Sequence, residues 1–348
     1  MTLPDSYFRA ELTEELVSTA AHHFKIGNAT RSKDIEEGVN LNIDIESTSG
    51  RYLLRVYHQW MTKERIAFLH TIKRALLNRD ILVPEPIGWA QSGELGLDLG
   101  RIIELERYIP HKRSEYTWAY HEQVFPILGQ LHDALNNIVE DRDYIPPEFH
   151  NYALPSKMLE WLAMTESKIR AIHADEGDDI VSALNVCSRA RDLLTVIDEW
   201  WHEQGANLPQ QVVHGDFNTG TNVLILDNQS TAVLDFDFLD IHERVFEIAY
   251  SMFFAVGSLE WGKLLSERDW TRVARSVELY DSTCKRGFTE QEWESLPIEI
   301  ARIPIYWVST AGFNPEPDKK VLEDAEGIEQ SYWIMDHLRD LIIPRNRI

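Results

Sequence analysis

The sequence predicts an α+β chain of two lobes, a small β-rich N-terminal unit with one main helix and a larger, mostly helical C-terminal unit. Three observations carry that expectation. Apolar and polar residues alternate from Val39 onward, apolar residues recur at helical spacing over most of the second half, and a group of short β-type segments returns at 212–238. The boundary is expected near Tyr108 to Pro110, giving units of 1–108 and 109–348.

The elements follow in order. ELTEELVSTAAHHF places Leu12, Leu16, Ala20 and Phe24 one turn apart and predicts a first helix. VNLNIDIES alternates, STSG turns, and RYLLRVY returns, which is a hairpin of β-type residues. TKERIAFLHTIKRALLN is the main helix of this lobe, with Ile66, Leu69, Ile72 (or Lys73) and Leu76 on one face. The two prolines of VPEPIG stop it. LGRIIELERYIP is one more strand. Beyond it, YHEQVFPILGQLHDALNNI and the run at 158–204 are helical, the latter interrupted by an acidic, Gly-containing loop at 174–179. VVHGD, NVLILD and TAVLDFDF then predict three short strands. Helices resume at 244–341, with breaks expected at Pro297, Pro304 and the PEP of Pro315 and Pro317.

Composition narrows the function classes. The 348 residues are 44% hydrophobic and include 11 Trp, enough to build packed cores. The net charge of −23 has the wrong sign for a protein that holds nucleic acid or an anionic membrane by charge. It suits either plain solubility or a cleft for a cationic substrate. Cys187 and Cys284 are the only cysteines, so no disulfide framework or CxxC metal site is expected. The N-terminal segment has no apolar core of a signal peptide, and no apolar run is long enough to span a membrane. The expectation is a soluble, cytoplasmic protein.

The chemistry is concentrated in two loops, HGDFNTGTN at 214–222 and LDFDFLD at 234–240. A hairpin of NVLILD and TAVL between them would bring both to one edge, so that Asp216, Asn222, Asp235 and Asp237 converge. Three carboxylates and a carboxamide are hard oxygen donors of the kind Mg²⁺ takes, together with water and phosphate. A carboxylate left off the metal can position a hydroxyl and accept its proton. Either loop alone would be an ordinary turn. Both together, behind LLRVY and followed by RVFEIAY, outweigh that reading.

This arrangement resembles the catalytic apparatus of kinases, and comes closest to the aminoglycoside phosphotransferase and choline kinase-like family of small-molecule kinases. There the catalytic loop reads H-x-D-x-x-x-x-N and the metal loop D-x-D or D-x-G. His214, Gly215 and Asp216 stand at the first, and Asp235 and Asp237 at the second. RVFEIAY resembles the family's R-x-x-D-L-A segment with Glu247 for the usual Asp. GVNLNIDIESTSGRYLLRVY, VPEPI and LGQLHDAL extend the likeness over roughly residues 25 to 255.

The resemblance implies a bilobal protein-kinase-like fold and an ATP- and Mg²⁺-dependent phosphotransferase. Its acceptor would be a hydroxyl on a small, amine-bearing molecule such as an aminoglycoside-like antibiotic, an amino sugar, choline or homoserine. Asp216 would be the catalytic base. Asn222, Asp235 and Asp237 would face the metal. Arg55 would replace the lysine on the α- and β-phosphates. Adenine would lie against Glu106, Arg107 and Tyr108, held by backbone groups, and Gly38 and Asn40 would cover the phosphates. His214 is expected to be structural, Asp240 to cap the next helix, and Arg244 and Glu247 to pair with each other or brace the loops.

Three departures from the pattern stand out. The Asp216–Asn222 spacing is one residue longer than the pattern, and the insertion is assigned to NTGT. Leu69 occupies the helix position where the family offers a glutamate, and Glu64 points away from that face. Only Gly27 and Gly38 lie near the nucleotide loop. These departures keep open a second reading, a kinase-like binding or regulatory protein with little catalysis. An atypical Ser/Thr protein kinase is a third.

Overall fold

The computed structural model describes residues 9–35, 39–111, 115–139, 144–147, 151–172, 178–227 and 229–342. Its N-terminal part is a five-stranded antiparallel sheet in the order β1-β2-β3-β5-β4. The strands are β1 (Ala29–Asp34), β2 (Leu41–Ser47), β3 (Gly50–Val56), β4 (Pro86–Gln91) and β5 (Ile102–Arg107). The hairpin read from alternation is β2–β3, with Ile43 opposite Leu54 and Asn42 opposite Arg55. Sequence reading passed over β1 and β4. The first is mostly exposed and carries no alternation, and the second lies where the prolines of VPEPIG announced only a break.

Side-chain alternation divides this sheet into two chemistries. Leu41, Ile43, Ile45, Leu54, Val56, Ile103 and Leu105 pack with Leu16, Val17 and Ala20 of helix α1 (Glu14–His23) into one core. The opposite parity puts Asn42, Arg55, Glu104 and Glu106 on the other face. That face looks toward helix α2 (Lys63–Leu77), which begins at the Thr62 cap and buries Ile66, Leu69, Ile72 and Leu76.

The rest of the described chain is mostly helical. It runs α3 (Trp118–Val124), α4 (Pro126–Val139), α5 (Pro155–Ile172) and α6 (Asp178–Glu203), then four short strands. These are β6 (Gln210–Val213), β7 (Val223–Ile225), β8 (Thr231–Val233) and β9 (Asp240–Glu243). β7 and β8 form the expected hairpin, with Val223 opposite Val233. β6 pairs with β9 instead, so the strand before the first polar loop and the strand after the second are held side by side. Asp240 therefore opens β9 rather than capping a helix. The helix cap is Glu243, at the start of α7 (Arg244–Leu259).

α8 (Thr271–Asp281), α9 (Glu290–Thr310), α10 (Pro317–Glu323) and α11 (Ala325–Ile342) complete the fold. Pro317 starts α10, as its fixed φ favours. Pro297 and Pro304 do not break α9, which runs through both. An interior proline costs about 3 kcal/mol. Here most of α9 between Trp293 and Val308, both prolines included, is buried against α7, α11 and α5, and that packing outweighs the loss.

Arg244 and Glu247 do not pair with each other. Arg244 donates from Nε to Glu292 Oε1 at 2.6 Å and to the carbonyls of Arg286 and Gly287, while Glu292 also closes the capping box of α9. Both partners are almost wholly buried. Glu292→Ala would leave a buried cation short of its counter-charge, and it is expected to destabilise the protein by about 3–5 kcal/mol. Chemical denaturation of the two proteins reads this directly.

Candidate active site

The first polar loop is held from below before its reactive residues are placed. β6 ends at Val213 and the chain turns through Gly215 at φ +82°. A Cβ there would lie 1.9 Å from the Phe238 carbonyl oxygen, so neither the backbone angle nor the space admits another residue. The N–H groups of His214 and Gly215 donate to the two Glu247 oxygens at 2.9 and 2.5 Å. His132 donates from Nε2 to Glu247 at 2.6 Å. Burial alone would raise Glu247, but the bond from His132 and its neighbours hold it below the usual carboxylate range. Glu247 is thus a brace for the loop.

His214 ties the two loops together. Its Nε2 reaches the Leu234 carbonyl at 2.7 Å, and its Nδ1 accepts the Asp216 N–H at 3.3 Å. Those roles fix the Nε2-protonated neutral ring, and burial pushes its pKa down accordingly. It serves as a structural strut.

Asp216 sits at the head of this construction. Its Oδ1 accepts the Tyr250 hydroxyl at 2.6 Å and its Oδ2 accepts Nδ2 of Asn222 at 2.9 Å. Burial pushes its carboxyl up to about 7; the Asp235 charge adds to this, while the bonds from Tyr250 and Asn222 oppose it. The longer Asp-to-Asn spacing is absorbed by a turn in which the N–H groups of Thr221 and Asn222 both return to the Asn218 carbonyl. That turn brings the Asn222 amide within 2.8 Å of the Asp216 carbonyl as well. Among the described residues the Asn222 amide oxygen makes no hydrogen bond.

The second loop follows β8. Asp235 takes φ +61°, a left-handed conformation that a non-glycine residue adopts at a cost of about 1–3 kcal/mol. Arg55 Nη1 donates to Asp235 Oδ1 at 2.5 Å and to Asp237 Oδ1 at 3.0 Å. Burial favours the neutral acid at both. The guanidinium overrides it at Asp235, whose pKa falls, whereas burial and the Asp235 charge push Asp237 up to about 7. Asn40 joins the cluster, donating to Asp237 and accepting the His58 N–H at 2.9 Å.

Among the described residues, no three His, Cys, Asp or Glu side chains form a ready-made metal cage. The free Asn222 oxygen and the Asp235 carboxylate are instead the few hard oxygens that suit Mg²⁺, whose remaining positions go to water and phosphate.

Of the residues singled out from sequence, Arg55, Asn40, Asp216, Asn222, Asp235 and Asp237 come together. Glu106 stands on the same face of the sheet, fully buried, with Lys73 Nζ 2.5 Å from its Oε1. Arg107 does not join; it is exposed and pairs with Glu85 at 2.8 Å. Tyr108 lies under the Arg51 guanidinium. The N–H groups of Arg107 and Tyr108 are committed to the carbonyls of Glu85 and Arg51, so they are not the free donors expected for a base. Gly38 lies outside the described residues.

The missing helix glutamate has an explanation that sequence reading did not reach. The charges are exchanged, with α2 supplying the cation Lys73 and β5 supplying the carboxylates Glu104 and Glu106. Lys73 draws Glu104 far below its usual range against the effect of burial, and Tyr57 and His70 also bond to Glu104. Arg65, on the same helix, donates to the carbonyls of Asp237 and Leu239 at 3.1 and 2.6 Å and so holds the second loop. The signal was present: Arg65 and Lys73 lie one turn on either side of Leu69, on the stripe that had to be buried. Tyr250 likewise lies one turn beyond Glu247 on α7.

Known proteins share this chain's sequence pattern and its fold. Residues 34–274 match the model of a family described as the phosphotransferase enzyme family. The homoserine kinase of Granulibacter bethesdensis is 25% identical over 290 residues, covering 83% of this chain and 82% of that protein. The fold is shared with a microcompartment-associated aminopropanol kinase, at a TM-score of 0.63 and 15% identity over 94% of this chain and 99% of the other. It is shared too with a spectinomycin phosphotransferase solved with ADP and spectinomycin, at a TM-score of 0.60 and 14% identity over 92% and 100%.

The raised Asp216 pKa has a measurable consequence. With its carboxyl pushed up to about 7, Asp216 in the folded protein keeps its proton over a range where the unfolded chain, near an ordinary aspartate's 3.8, has already lost it. Between those values the native state binds more protons, so its stability falls as pH rises. Asp216→Asn removes this contribution. The melting temperature of the variant relative to wild type is expected to improve from pH 5 to pH 8. A difference independent of pH would show that Asp216 does not titrate in that window.

Proposed function

The chain belongs to this phosphotransferase family, and on that premise we propose that it moves the γ-phosphoryl group of Mg·ATP to the hydroxyl of a small, amine-bearing molecule, with Asp216 as the base. The family makes it a small-molecule kinase. The donor, the metal, the residue roles and the amine are the proposal. The observation that carries it is the buried meeting of Asp216, Asn222, Asp235 and Asp237 with Arg55.

In this reading Tyr250 and Asn222 occupy one lone pair on each Asp216 oxygen and leave others free for the acceptor hydroxyl. The hydroxyl oxygen bonds to the γ-phosphorus, the bond from the γ-phosphorus to the β–γ bridging oxygen breaks, and the hydroxyl proton passes to Asp216. Catalysis is mainly positioning and charge neutralisation. Asn222 and Asp235 would hold Mg²⁺, with Asp237 beside them. Bound there, the ion would supply positive charge against that of the phosphates. Arg55, held against the same carboxylates, would meet the α- and β-phosphates. Asn40 and the 106–108 segment border the nucleotide, and the division into nucleotide and acceptor lobes is placed at 1–108 and 109–348.

An acidic protein that takes a cationic acceptor is consistent with the net charge of −23. Two of the three departures are compatible with this reading, since the turn at Asn218 returns Asn222 to Asp216 and the carboxylates of Asp235 and Asp237 pair with Arg55. No helix among the described residues is long and apolar enough to cross a membrane.

Two experiments test the proposal. Mg²⁺ and ATP together, at about 100 times the dissociation constant, should stabilise the wild type by roughly 2.7 kcal/mol. Asp235→Ala should lose the Mg²⁺-dependent part of that shift, and retention of it would remove Asp235 from the metal site. In steady-state assays, kcat/KM should rise with pH through about 7 as Asp216 loses its proton. Asp216→Asn should abolish turnover while keeping the nucleotide-induced shift. Near-normal activity in that variant would exclude Asp216 as the base.

A further inference from the structure

The first polar loop is one residue longer than the family pattern, and the fold makes use of the added length. Between Asp216 and Asn222 the Asn218 carbonyl accepts the N–H groups of Thr221 and Asn222 at 3.2 and 2.8 Å, and Asn218 Oδ1 accepts the Gly220 N–H at 2.9 Å. Those bonds lie within the loop and set its shape. Where it stands depends on bonds that leave it. The Asn222 carbonyl accepts the Leu234 N–H of the second loop at 2.8 Å, and the remaining attachments run to helix α3 and the residues just before it.

Thr219 is fully buried although Gly220 and Thr221 beside it are exposed. Its hydroxyl lies 2.7 Å from the Tyr116 hydroxyl and 2.9 Å from His121 Nδ1, and His121 Nε2 lies 2.9 Å from Ser276 Oγ on α8. Burial and the Arg272 charge push the His121 pKa down to about 3, so the ring is neutral and carries one N–H. One ring nitrogen donates and the other accepts. Whichever way the chain of bonds runs, Thr219 receives a hydrogen bond from one neighbour and gives one to the other. The Tyr120 hydroxyl donates to the Val223 carbonyl at 2.7 Å. Tyr116, Tyr120 and His121 thus grip the chain at Thr219 and Val223, before and after Asn222. The Tyr116 ring also lies over Gly220, where a Cβ would come within 3.2 Å of it.

We propose that Thr219 is a positioning residue for the metal side of the site: its hydroxyl, held by Tyr116 and His121, fixes the turn that presents the Asn222 amide oxygen to a divalent cation. This rests on the phosphotransfer reading, in which Asn222 holds Mg²⁺, and adds to it a residue that touches neither metal nor substrate. Only a hydroxyl meets both neighbours. Valine has nearly the same shape but would leave the Tyr116 hydroxyl and a His121 nitrogen without that partner, and a buried group left unmet is costly. The loop relieves that cost by moving, and Asn222 stands three residues away in the same turn. Asp216 keeps its own supports in the Tyr250 hydroxyl and the Glu247 brace beneath its turn, so the effect falls first on the metal.

The test compares Thr219→Val with Thr219→Ser in the full chain by titrating Mg²⁺ at fixed ATP and reading the melting temperature, which rises as the ligands bind. In Thr219→Val the Mg²⁺ concentration at half of that rise is expected to increase about 10- to 100-fold, the usual cost of losing an outer partner of a metal ligand. The shift with ATP alone should not change. Thr219→Ser keeps the hydroxyl and should titrate like wild type. Tyr116→Phe removes one of the two partners and should move the midpoint the same way by a smaller factor, which gives the reading if Thr219→Val does not fold. Ser276→Ala, at the far end of the chain of bonds, should lower the melting temperature and leave the Mg²⁺ midpoint in place. A midpoint that moves as far in Ser276→Ala as in Thr219→Val would reduce the effect to lost stability and overturn the proposal. Equal loss in both substitutions at 219 would overturn it as well. A Mg²⁺-dependent shift in the wild type that Thr219→Val leaves untouched sinks the proposal alone. No such shift in the wild type sinks the phosphotransfer reading and the proposal with it.

Discussion

A single guanidinium joins the sheet to the loops. Arg55, 4% exposed on β3, is held by Asp235 and Asp237 from beyond β8, and neither side can be buried without the other. A cation of that burial needs a counter-charge, and two carboxylates this close need a cation. Around this core the neighbouring contacts fall into place. Asn40 bonds to Asp237, Arg65 takes the loop carbonyls, and Asp235 keeps a left-handed backbone because its side chain is required where Arg55 is. Under the proposed function the same charges would meet the metal and the phosphates, and binding would exchange one set of counter-charges for another.

Behind this core, two buried networks set its position. One is the exchanged pair of α2 and β5, in which Lys73 lies between Glu104 and Glu106 and keeps the helix against the sheet without a glutamate on the helix. The other is Glu247, which converts two backbone N–H groups and the His132 ring into a fixed base for the His-Gly-Asp turn. Neither contains the residue that the resemblance alone would have put there. In both, a carboxylate meets donors already fixed by secondary structure, which is why a change of residue type leaves the geometry in place.

Much of the fold was legible. Alternation identified β2 and β3, helical spacing identified α2, and the tight turn between NVLILD and TAVL identified the β7–β8 hairpin, because each of these signals is local. The residues of the candidate site were legible as a set because the two polar loops occur together and in order, although either alone is an ordinary turn. Its support was less so. Arg65 and Lys73 stood on a stripe read as apolar, and their role depends on Glu104 and Asp237, which only the fold brings near. Arg107 and Tyr108 looked like free hinge residues until the sheet register showed their N–H groups engaged by Glu85 and Arg51.

The sequence by itself determined the order of the elements, the two polar loops and the residue types that meet in them. These follow from periodicity, turn chemistry and side-chain donors, which act over a few residues. The tertiary structure decided who partners whom. It gave Arg55 its carboxylates 180 positions away, sent Arg244 to Glu292 rather than Glu247, and carried α9 through two prolines. It also left the Arg268 Nε buried with no hydrogen-bond partner among the described residues. Each of these outcomes depends on burial and proximity in space, because the strength of a charge pair or the tolerance of a lost hydrogen bond is set by what packs around it.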